Sequence, residues 1–256
     1  MSLHISVITA VFNRADTLAE ALRSVRDQSW TNVEHIAIDG GSTDGSLEIL
    51  RAYGSGLATV VSEPDAGIYD ALNKGIVRAT GDVVGFLHAD DQFASPHALT
   101  RVAAAFEDPS IGAVYGDLVY VKRKDTTRVV RYWCAGPYTR ERLAHGWMPP
   151  HPTFYVRREL YAKFGSFNTH FRIAADYENM LRILWHGAVK TAYIPEVLVR
   201  MRIGGMSNQS LLNLLLKSRE DYAAMRLNGI GGMGALLRKN VTKLPQFMVR
   251  VPAVGP

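Results

Sequence analysis

The pattern of apolar and polar residues over the first 108 positions predicts four rounds of strand and helix. Stretches rich in β-branched and other apolar residues predict buried strands at 4–10, 33–38, 57–62 and 83–87. Each strand leads through a turn into residues with apolar positions at helical spacing, as in 18–25. Strand and helix in alternation predict a mostly parallel central sheet flanked by helices, and hence an α/β fold.

The pattern changes after Pro109. Two strands, 111–121 and 128–133, are predicted on either side of a charged turn at 122–127, which suggests a hairpin or a mixed continuation of the sheet. Further strands are predicted at 153–156, 189–194 and 197–201. Helices are predicted at 96–107, 158–164, 175–185 and 210–227.

These elements divide the chain into one large domain at 1–207, with halves at about 1–108 and about 109–207, and a basic, apolar helical extension at 208–256. The glycine-rich segment 204–208 is either a lid over a ligand or a surface loop. From Met233 onward, apolar residues alternate with lysine and arginine, the composition of a segment that lies at a membrane interface. The alternative is that these apolar residues pack against the domain or a second subunit.

Composition narrows the class of ligand. The 256 residues carry 29 lysines and arginines against 24 acidic residues, and the net charge of +5 favours anionic ligands or an anionic membrane face. No zinc-finger or aromatic RNA-binding motif accompanies the basic residues, so we expect no nucleic-acid partner. Cys134 is the single cysteine, which excludes an internal disulfide and a zinc site built from cysteines. Without a basic leader or an apolar stretch of about 18 residues, a cytoplasmic location is expected.

Acidic loops follow three of the first four strands, at 39–42, 65–67 and 88–91. Open α/β sheets bind ligands beyond the carboxyl ends of their strands, so these loops are expected to surround one crevice. Asp90 and Asp91 offer oxygen ligands to Mg²⁺ or Mn²⁺, which commonly bridge to substrate phosphates. Taken alone, each loop could be an ordinary turn or helix cap. The loop 39–45 lacks Gly-x-Gly-x-x-Gly, which disfavours a dinucleotide site there, and no Gly-Lys-Ser/Thr occurs in the chain, which disfavours a P-loop.

Six ordered stretches carry a resemblance to a known family. They are Val7-Ile-Thr-Ala-Val-Phe-Asn13, Ile38-Asp-Gly-Gly-Ser-Thr-Asp-Gly45, Glu63-Pro-Asp-Ala-Gly-Ile-Tyr-Asp-Ala-Leu-Asn-Lys-Gly75, Ala79-Thr-Gly-Asp82, Phe86-Leu-His-Ala-Asp-Asp91 and Ala175-Asp-Tyr-Glu178. Together they resemble the family 2 glycosyltransferases with a GT-A fold, over about residues 4–207. The Gly-Ile-Tyr-Asp-Ala-Leu-Asn-Lys-Gly version is most similar to the branch with colanic acid and related bacterial exopolysaccharide transferases. The resemblance implies hexosyltransferase-type transfer from a nucleotide-diphosphate sugar, with inversion at the anomeric carbon.

The resemblance also implies that the first half of the domain binds the donor. Asp39 would contact the base, and Asp65 and Lys74 would lie near the nucleotide and its diphosphate. The residues that would line the same end as Asp39 are Thr9, Ala10 and Asn13. UDP is the first choice of nucleotide, with GDP and dTDP as alternatives.

Asp90 and Asp91 occupy the Asp-x-Asp region of the family, where they would hold Mn²⁺ or Mg²⁺ on the donor diphosphate. The chain departs from the family here, because His88 stands where the usual first acid lies. Histidine can ligate Mn²⁺, and it can equally hydrogen-bond ribose or phosphate of the donor without touching metal.

Asp176 matches the catalytic acid position of the family. An inverting transfer needs a base that removes the proton from the acceptor hydroxyl as it attacks, and the helix dipole stabilises a carboxylate in a first turn. The alternative is that Asp176 only caps its helix. Glu178 is the second choice on the acceptor side, facing elsewhere on the helix. His151, in Pro149-Pro-His-Pro152, faces either the acceptor or the core.

The resemblance therefore implies an inverting, metal-dependent glycosyltransferase of exopolysaccharide or related cell-surface glycan assembly. It would act on a glycan or lipid-linked acceptor at the cytoplasmic side, with peripheral contact to the inner face of the membrane. One alternative is a catalytically silent glycan-binding or scaffold subunit, which His88 in place of an acid suggests. A sugar nucleotidyltransferase is disfavoured, because Phe12-Asn13-Arg14 follows the first strand without a glycine-rich phosphate loop.

Overall fold

The computed structural model describes residues 2–204 and 211–241, and its nine strands within those ranges form one sheet. The strands are β1 (Ile5–Val11), β2 (Val33–Asp39), β3 (Thr59–Ser62), β4 (Val83–Phe86), β5 (Gln92–Phe93), β6 (Ala113–Lys122), β7 (Asp125–Trp133), β8 (Tyr155–Arg157) and β9 (Thr191–Arg202). The α-helices are α1 (Leu18–Arg26), α2 (Ser46–Tyr53), α3 (Ile68–Arg78), α4 (Ala98–Ala105), α5 (Arg140–Ala144), α6 (Arg158–Phe164), α7 (Ala175–Leu181), α8 (Leu211–Leu227) and α9 (Met233–Val241).

The N-terminal half of the sheet is parallel, in the order β3-β2-β1-β4. Asp39, the last residue of β2, pairs with Val11 at the end of β1 and with Ser62 at the end of β3. The carboxyl ends of these strands therefore meet at one edge, as the alternation of strands and helices predicts.

Beyond β4 the sheet is mixed. The antiparallel strand β8 lies between β4 and β6, whereas β9 runs parallel to β6 and antiparallel to β5. Pairing of Gln92 with Arg200 brings the loop after β4 against the end of β9. The α/β class with flanking helices and a helical C-terminal segment is confirmed.

Apolar side chains pack on both faces of the sheet. On one face, Ile8 and Phe86 belong to a cluster with residues of α3 and α7, and Met225 of α8 and Ala235 of α9 join it. On the other face, Val7 packs with residues of α1 and α4. The two C-terminal helices thus share a core with the large domain.

Three local features differ from the sequence prediction. The strands predicted at 189–194 and 197–201 are one strand, β9, whose register against β6 shifts where Pro195 falls. Proline has no N–H for the ladder, so the strand bulges there instead of ending. The helix predicted at 175–185 is α-helical to Leu181 and then π-helical over Arg182–His186. The two-residue strand β5 escaped prediction because it is too short for a periodic signal.

Among the helices within 2–204 and 211–241, none combines the length and apolar composition needed to cross a bilayer. Most of the segment predicted as a lid, 205–208, and the tail after residue 241 lie outside the described residues.

Candidate active site

Asp39 is fixed in a buried position at the carboxyl end of β2. Its carboxylate accepts a hydrogen bond of 2.7 Å from the hydroxyl of Ser62 and bonds of 3.3 and 3.2 Å from the backbone N–H of Ser42. The side chain is fully buried. These contacts hold the carboxylate in one orientation at the edge where the parallel strands end.

Asn13 joins the loops that follow β1 and β2. Its backbone N–H donates to the hydroxyl of Ser42 at 2.9 Å, and its side-chain oxygen accepts from the N–H of Thr43 at 2.9 Å. The backbone of Asn13 has a φ of 51°, in the left-handed region that asparagine tolerates better than most residues. Ala10, at the end of β1, is half-buried. Asn13 and Asp39 therefore share the contact with Ser42.

The prediction for the Thr9 side chain was wrong. Thr9 is fully buried, and its hydroxyl lies 2.9 Å from Nε2 of His35. Successive side chains of a strand point to opposite faces, and the register of β1 turns this one into the core. Burial lowers the pKa of His35 to about 3, so the imidazole is neutral and its contact with Thr9 is an uncharged hydrogen bond.

Asp65 lies directly over Gly40. A Cβ atom built on Gly40 would be 2.3 Å from Oδ2 of Asp65, so only glycine allows this approach. Oδ1 of Asp65 accepts from the N–H of Gly67 at 2.8 Å. The loops after β2 and β3 are thus in contact, and Asp65 joins Asp39 at the same edge.

Lys74 reaches from α3 to the loop that carries Asp65. Its ammonium donates to the carbonyl of Pro64 at 3.0 Å and pairs with Glu63 at 3.0 Å and Asp70 at 3.5 Å. The hydrogen bond to Glu63 raises the pKa of Lys74. Lys74 is therefore engaged in holding this loop.

Asp90 and Asp91 have different environments. The side chain of Asp90 is partly exposed, with a carboxylate oxygen 3.7 Å from Nε of Arg14. Asp91 is 1% exposed, and its Oδ1 accepts from the backbone N–H of Arg202 at 3.2 Å. Burial, reinforced by the charge of Asp90, raises the pKa of Asp91 well above its usual value. Asp90 is the accessible carboxylate of the pair.

Arg202, at the end of β9, holds this loop in place. Its guanidinium donates to the carbonyl of Asp90 at 2.7 Å and to the carbonyl of Arg123 at 3.1 Å, and it forms an ion pair with Glu20. Next to it, Lys122, Arg123, Lys124, Asp125, Ile203 and Gly204 line an open cavity of about 470 Å³. Basic groups thus border the acidic loop.

The loop fits a hard cation that is shared with a ligand. Oδ2 of Asp91 and Nδ1 of His88 are buried and have no hydrogen-bond partner among the described residues. Residues 2–204 and 211–241 contain no group of three or more His, Cys, Asp and Glu side chains that could hold a metal by itself. Mg²⁺ commonly binds one or two carboxylates and completes its coordination with water and substrate phosphates. Asp90 supplies one such carboxylate.

Asp176 lies in the first turn of α7 and is half-buried. Its Oδ1 is 3.3 Å from the hydroxyl of Tyr69, which also donates to the carbonyl of Ile173 at 2.7 Å. The negative charge of Asp176 acts on both His88 and His151, where it opposes the lowering of their pKa by burial. The charge of Asp90 likewise opposes the lowering of the pKa of His88 by burial. Asp176, from the second half of the domain, is thus in contact with the first half through Tyr69 of α3.

His151 stacks on His88, with ring centroids 5.7 Å apart, and on Phe86 at 5.5 Å. Burial lowers the pKa of His151 to about 4, so the ring is neutral near pH 7. Its Nε2 is buried and has no partner among the described residues. His151 is thus both packed against the core and in range of Asp176; an acceptor contact by this residue stays a prediction.

The prediction for Glu178 was wrong. Glu178 is 1% exposed and forms a two-pronged ion pair with Arg182, with N–O distances of 2.7 and 2.8 Å. The two residues are one helical turn apart, so the carboxylate turns along the helix instead of toward the loops that carry the other acids. Its role is structural.

Glu220 of α8 is a residue that sequence reasoning missed. Its carboxylate accepts three backbone N–H groups, from Arg172 at 2.9 Å, Ile173 at 2.8 Å and Ala174 at 2.9 Å. These amides immediately precede the helix of Asp176. Tyr69 lies inside one of the motifs that carry the resemblance, but no role was predicted for it. Arg202 and Glu220 lie in no motif, so the sequence did not indicate a role for either.

The fold and these loops define an α/β protein whose acidic residues meet at the carboxyl edge of the sheet. A family model described as glycosyl transferase family 2 matches residues 6–173. An uncharacterized glycosyltransferase of Mycobacterium tuberculosis is 38% identical over 180 residues, 70% of this chain and 68% of that protein. A PGL/p-HBAD biosynthesis glycosyltransferase of Mycobacterium bovis BCG is 32% identical over 209 residues, 79% and 78% of the two chains.

Solved structures show the same fold. A mannosyltransferase of Pyrobaculum calidifontis in complex with GDP-Man and Mn²⁺ has a TM-score of 0.69 at 22% identity, covering 97% of this chain and 74% of that chain. The S. aureus TarS 1–349 structure with UDP-GlcNAc has a TM-score of 0.68 at 18% identity, covering 88% and 65%. This chain spans 39% of the longer TarS structure. The chain belongs to glycosyl transferase family 2 and has the GT-A fold of that class of enzyme.

Proposed function

We propose that this glycosyltransferase moves a sugar from a nucleotide-diphosphate donor to a hydroxyl of a glycan or lipid-linked acceptor, with inversion at the anomeric carbon. The observation that carries the proposal is that Asp176 is hydrogen-bonded to Tyr69 of the half at about 1–108, while His88, on the loop with the accessible Asp90, stacks on His151 of the other half. One carboxylate can act on an incoming hydroxyl while the other serves the departing diphosphate.

The donor would bind across the loops after β1, β2 and β3, which belong to the half at about 1–108. Asp39 accepts hydrogen bonds from the base, beside Asn13 and the backbone of Ala10, and Asp65 lies next along the nucleotide. Support comes from the shared contacts of Asn13 and Asp39 with Ser42. UDP is our first choice, in line with UDP-GlcNAc in the TarS structure; GDP, as GDP-Man in the Pyrobaculum enzyme, and dTDP are alternatives.

Asp90 is the residue that would hold Mn²⁺ or Mg²⁺, since it is the accessible carboxylate of the loop. The cation, when bound, stabilises negative charge on the leaving diphosphate. One ring nitrogen of His88 would donate to the diphosphate end of the donor. Arg202 holds the loop in place through its hydrogen bond to the carbonyl of Asp90. Mn²⁺ accompanies the donor in the Pyrobaculum structure.

Asp176 would remove the proton from the acceptor hydroxyl as the oxygen attacks the anomeric carbon and the bond to the diphosphate breaks. The acceptor would enter from the half at about 109–207, past His151. After transfer, the protonated Asp176 can donate to the hydroxyl oxygen of Tyr69, which is already 3.3 Å away. The proton stays on Asp176, and this hydrogen bond would orient the protonated carboxyl group.

The biological setting that we propose is assembly of exopolysaccharide or a related cell-surface glycan at the cytoplasmic, inner face of the membrane. A relative of this chain is named a PGL/p-HBAD biosynthesis glycosyltransferase, which supports a role in a biosynthetic pathway. A catalytically silent scaffold is the alternative, because His88 replaces an acid in the Asp-x-Asp region.

The test is a donor panel. The full chain is incubated with UDP-, GDP- and dTDP-sugars in the presence of Mn²⁺, Mg²⁺ or a chelator, and release of nucleotide diphosphate is measured. We expect release from at least one donor, loss of release with chelator, and a product whose anomeric configuration is opposite to that of the donor. Retained configuration would contradict inversion. No release from any donor while glycan binding persists would favour the scaffold.

A further inference from the structure

The outer surface of α8 carries a stripe that the fold does not bury. Leu212, Leu215, Arg219 and Arg226 follow one another at intervals of three, four and seven residues, so they lie on one side of the helix. Leu212 is 76% and Leu215 is 68% exposed, and both arginines are exposed. We name these four residues the Leu/Arg stripe.

The inner side of α8 fixes the direction of the stripe. Ala224 and Met225 pack into the core cluster that also contains Tyr177 of α7. Glu220 bonds the three amides before α7, and Asp221 accepts a 2.8 Å hydrogen bond from the buried ammonium of Lys239. Rotation of α8 that hides the leucines would break these contacts, so the stripe faces outward.

The exposed charged residues of the segment 211–241 are all basic. Between positions 211 and 241 the acidic residues are Glu220 and Asp221, and both are buried. The exposed charged residues of the same segment are Arg219, Arg226 and Arg238. In α9, Arg238 adjoins Leu237, which is 63% exposed, and so repeats the combination found on the stripe.

We propose that the Leu/Arg stripe docks on the surface of an anionic lipid bilayer. Exposed leucines interleaved with arginine and free of exposed acids match a surface that offers both acyl chains and negative headgroups. A second copy that met this chain through the same segment would place arginine against arginine, because the two acids of the described part of the segment are buried.

Docking of α8 on a bilayer would bring the membrane close to the proposed catalytic base. This step rests on the proposed function. Glu220 on the inner side holds the loop that precedes Asp176, and a helix with its side chains is roughly 10–12 Å across. A bilayer against the stripe therefore lies about one helix diameter from that loop. A lipid-linked acceptor would reach the base without leaving the membrane.

Vesicle co-sedimentation tests the proposal on the full chain. Vesicles of phosphatidylcholine alone are compared with vesicles that also contain phosphatidylglycerol. We expect the wild type to pellet with the anionic vesicles and much less with the neutral ones. Leu212→Ser with Leu215→Ser should weaken binding by roughly tenfold per leucine, and Arg219→Ala with Arg226→Ala by about fivefold per arginine.

Control substitutions lie elsewhere on the surface. Arg51→Ala with Arg128→Ala removes the same charge from other exposed sites, and Val77→Ser removes a valine of α3 that is 82% exposed. Both should bind anionic vesicles nearly as the wild type does. Circular dichroism and the thermal midpoint verify that each variant is folded.

Several results would overturn the docking proposal. They are a wild type that stays in the supernatant with anionic vesicles, equal losses in the stripe and control variants, or a wild-type dimer that the leucine variants convert to monomer while vesicle binding is unchanged. Since the assay involves no turnover, an inactive chain can still bind, and an active chain that fails to bind leaves the proposed function intact.

Discussion

The hydroxyl of Tyr69, on α3, lies 3.3 Å from the carboxylate of Asp176, on α7. The two residues are 107 positions apart and come from opposite halves of the domain. Burial and the charge of Asp176 raise the pKa of Tyr69 well above its usual value, so the phenol stays protonated. It can therefore orient the carboxylate and, after transfer, accept a hydrogen bond from the protonated Asp176, without changing its own protonation.

Tyr69→Phe should lower kcat by roughly tenfold, the size expected for one hydrogen bond to a charged group, and leave the donor Kd unchanged. Steady-state kinetics and calorimetric titration of the donor measure both quantities. Tyr53→Phe is the matched control, since the hydroxyl of Tyr53 has no hydrogen-bond partner among the described residues. Equal effects of the two substitutions would remove Tyr69 from the site.

Glu220→Gln should lower the free energy of unfolding by about 2 kcal/mol, because a neutral amide offers one acceptor where the carboxylate serves three N–H groups. We also expect kcat to fall with little change in donor affinity, since the loop that Glu220 holds leads directly into the helix of Asp176. Urea unfolding and kinetics test this, and Glu48→Gln, at an exposed residue of α2, is the control. A drop in stability with unchanged kcat would show that Glu220 supports only the fold.

Asp90→Asn and Asp91→Asn should separate the two acids of the loop. Asp90 is accessible, so its substitution should weaken metal-dependent donor binding by about tenfold or more. Asp91 is buried with a raised pKa, and asparagine resembles its neutral form, so its substitution should change donor affinity less. Titration of donor with and without Mn²⁺ gives the comparison. The reverse order would assign the cation to Asp91.

Acid should destabilise the fold through His35. Its pKa is about 3 in the fold and 6.5 when unperturbed, so between these values the unfolded state binds the extra proton. This contribution is complete above pH 6.5 and is lost as the pH falls toward 3; by pH 4.5 the loss amounts to about 3 kcal/mol. His35→Gln should therefore lose less stability than the wild type between pH 7 and 4.5 in urea unfolding. Parallel losses would show that His35 does not contribute.

The sequence predicted which loops form the site, because the order of strands and helices determines where each loop lies. It did not predict the orientation of every side chain. Asp39, Asp65 and Asp90 were expected together because each follows a parallel strand; the loops of Asp39 and Asp65 are in contact, and Asp90 contacts Arg14 of the loop after β1. The orientation of a side chain depends on register and on tertiary partners, so Thr9 and Glu178 were assigned to the site although one faces His35 and the other Arg182.

Residues that act over long separations gave no signal in the sequence. Arg202 contacts the Asp90 carbonyl across 112 positions, and Glu220 contacts the amides before Asp176 across 46 to 48 positions. Both lie beyond residue 173, where the family model ends. A pattern of periodic apolar residues describes their strand and helix but carries no information on which distant loop they hold.

The central claim is that Asp176 acts on the acceptor while a separate set of acids binds the donor. Asp176→Asn, compared with the wild type for both donor Kd and release of nucleotide diphosphate, tests it most directly. For Asp176→Asn we expect a donor Kd within about twofold of the wild type and a rate at least roughly 100-fold lower. A variant that keeps the full rate, or one that loses donor binding along with it, would contradict the account.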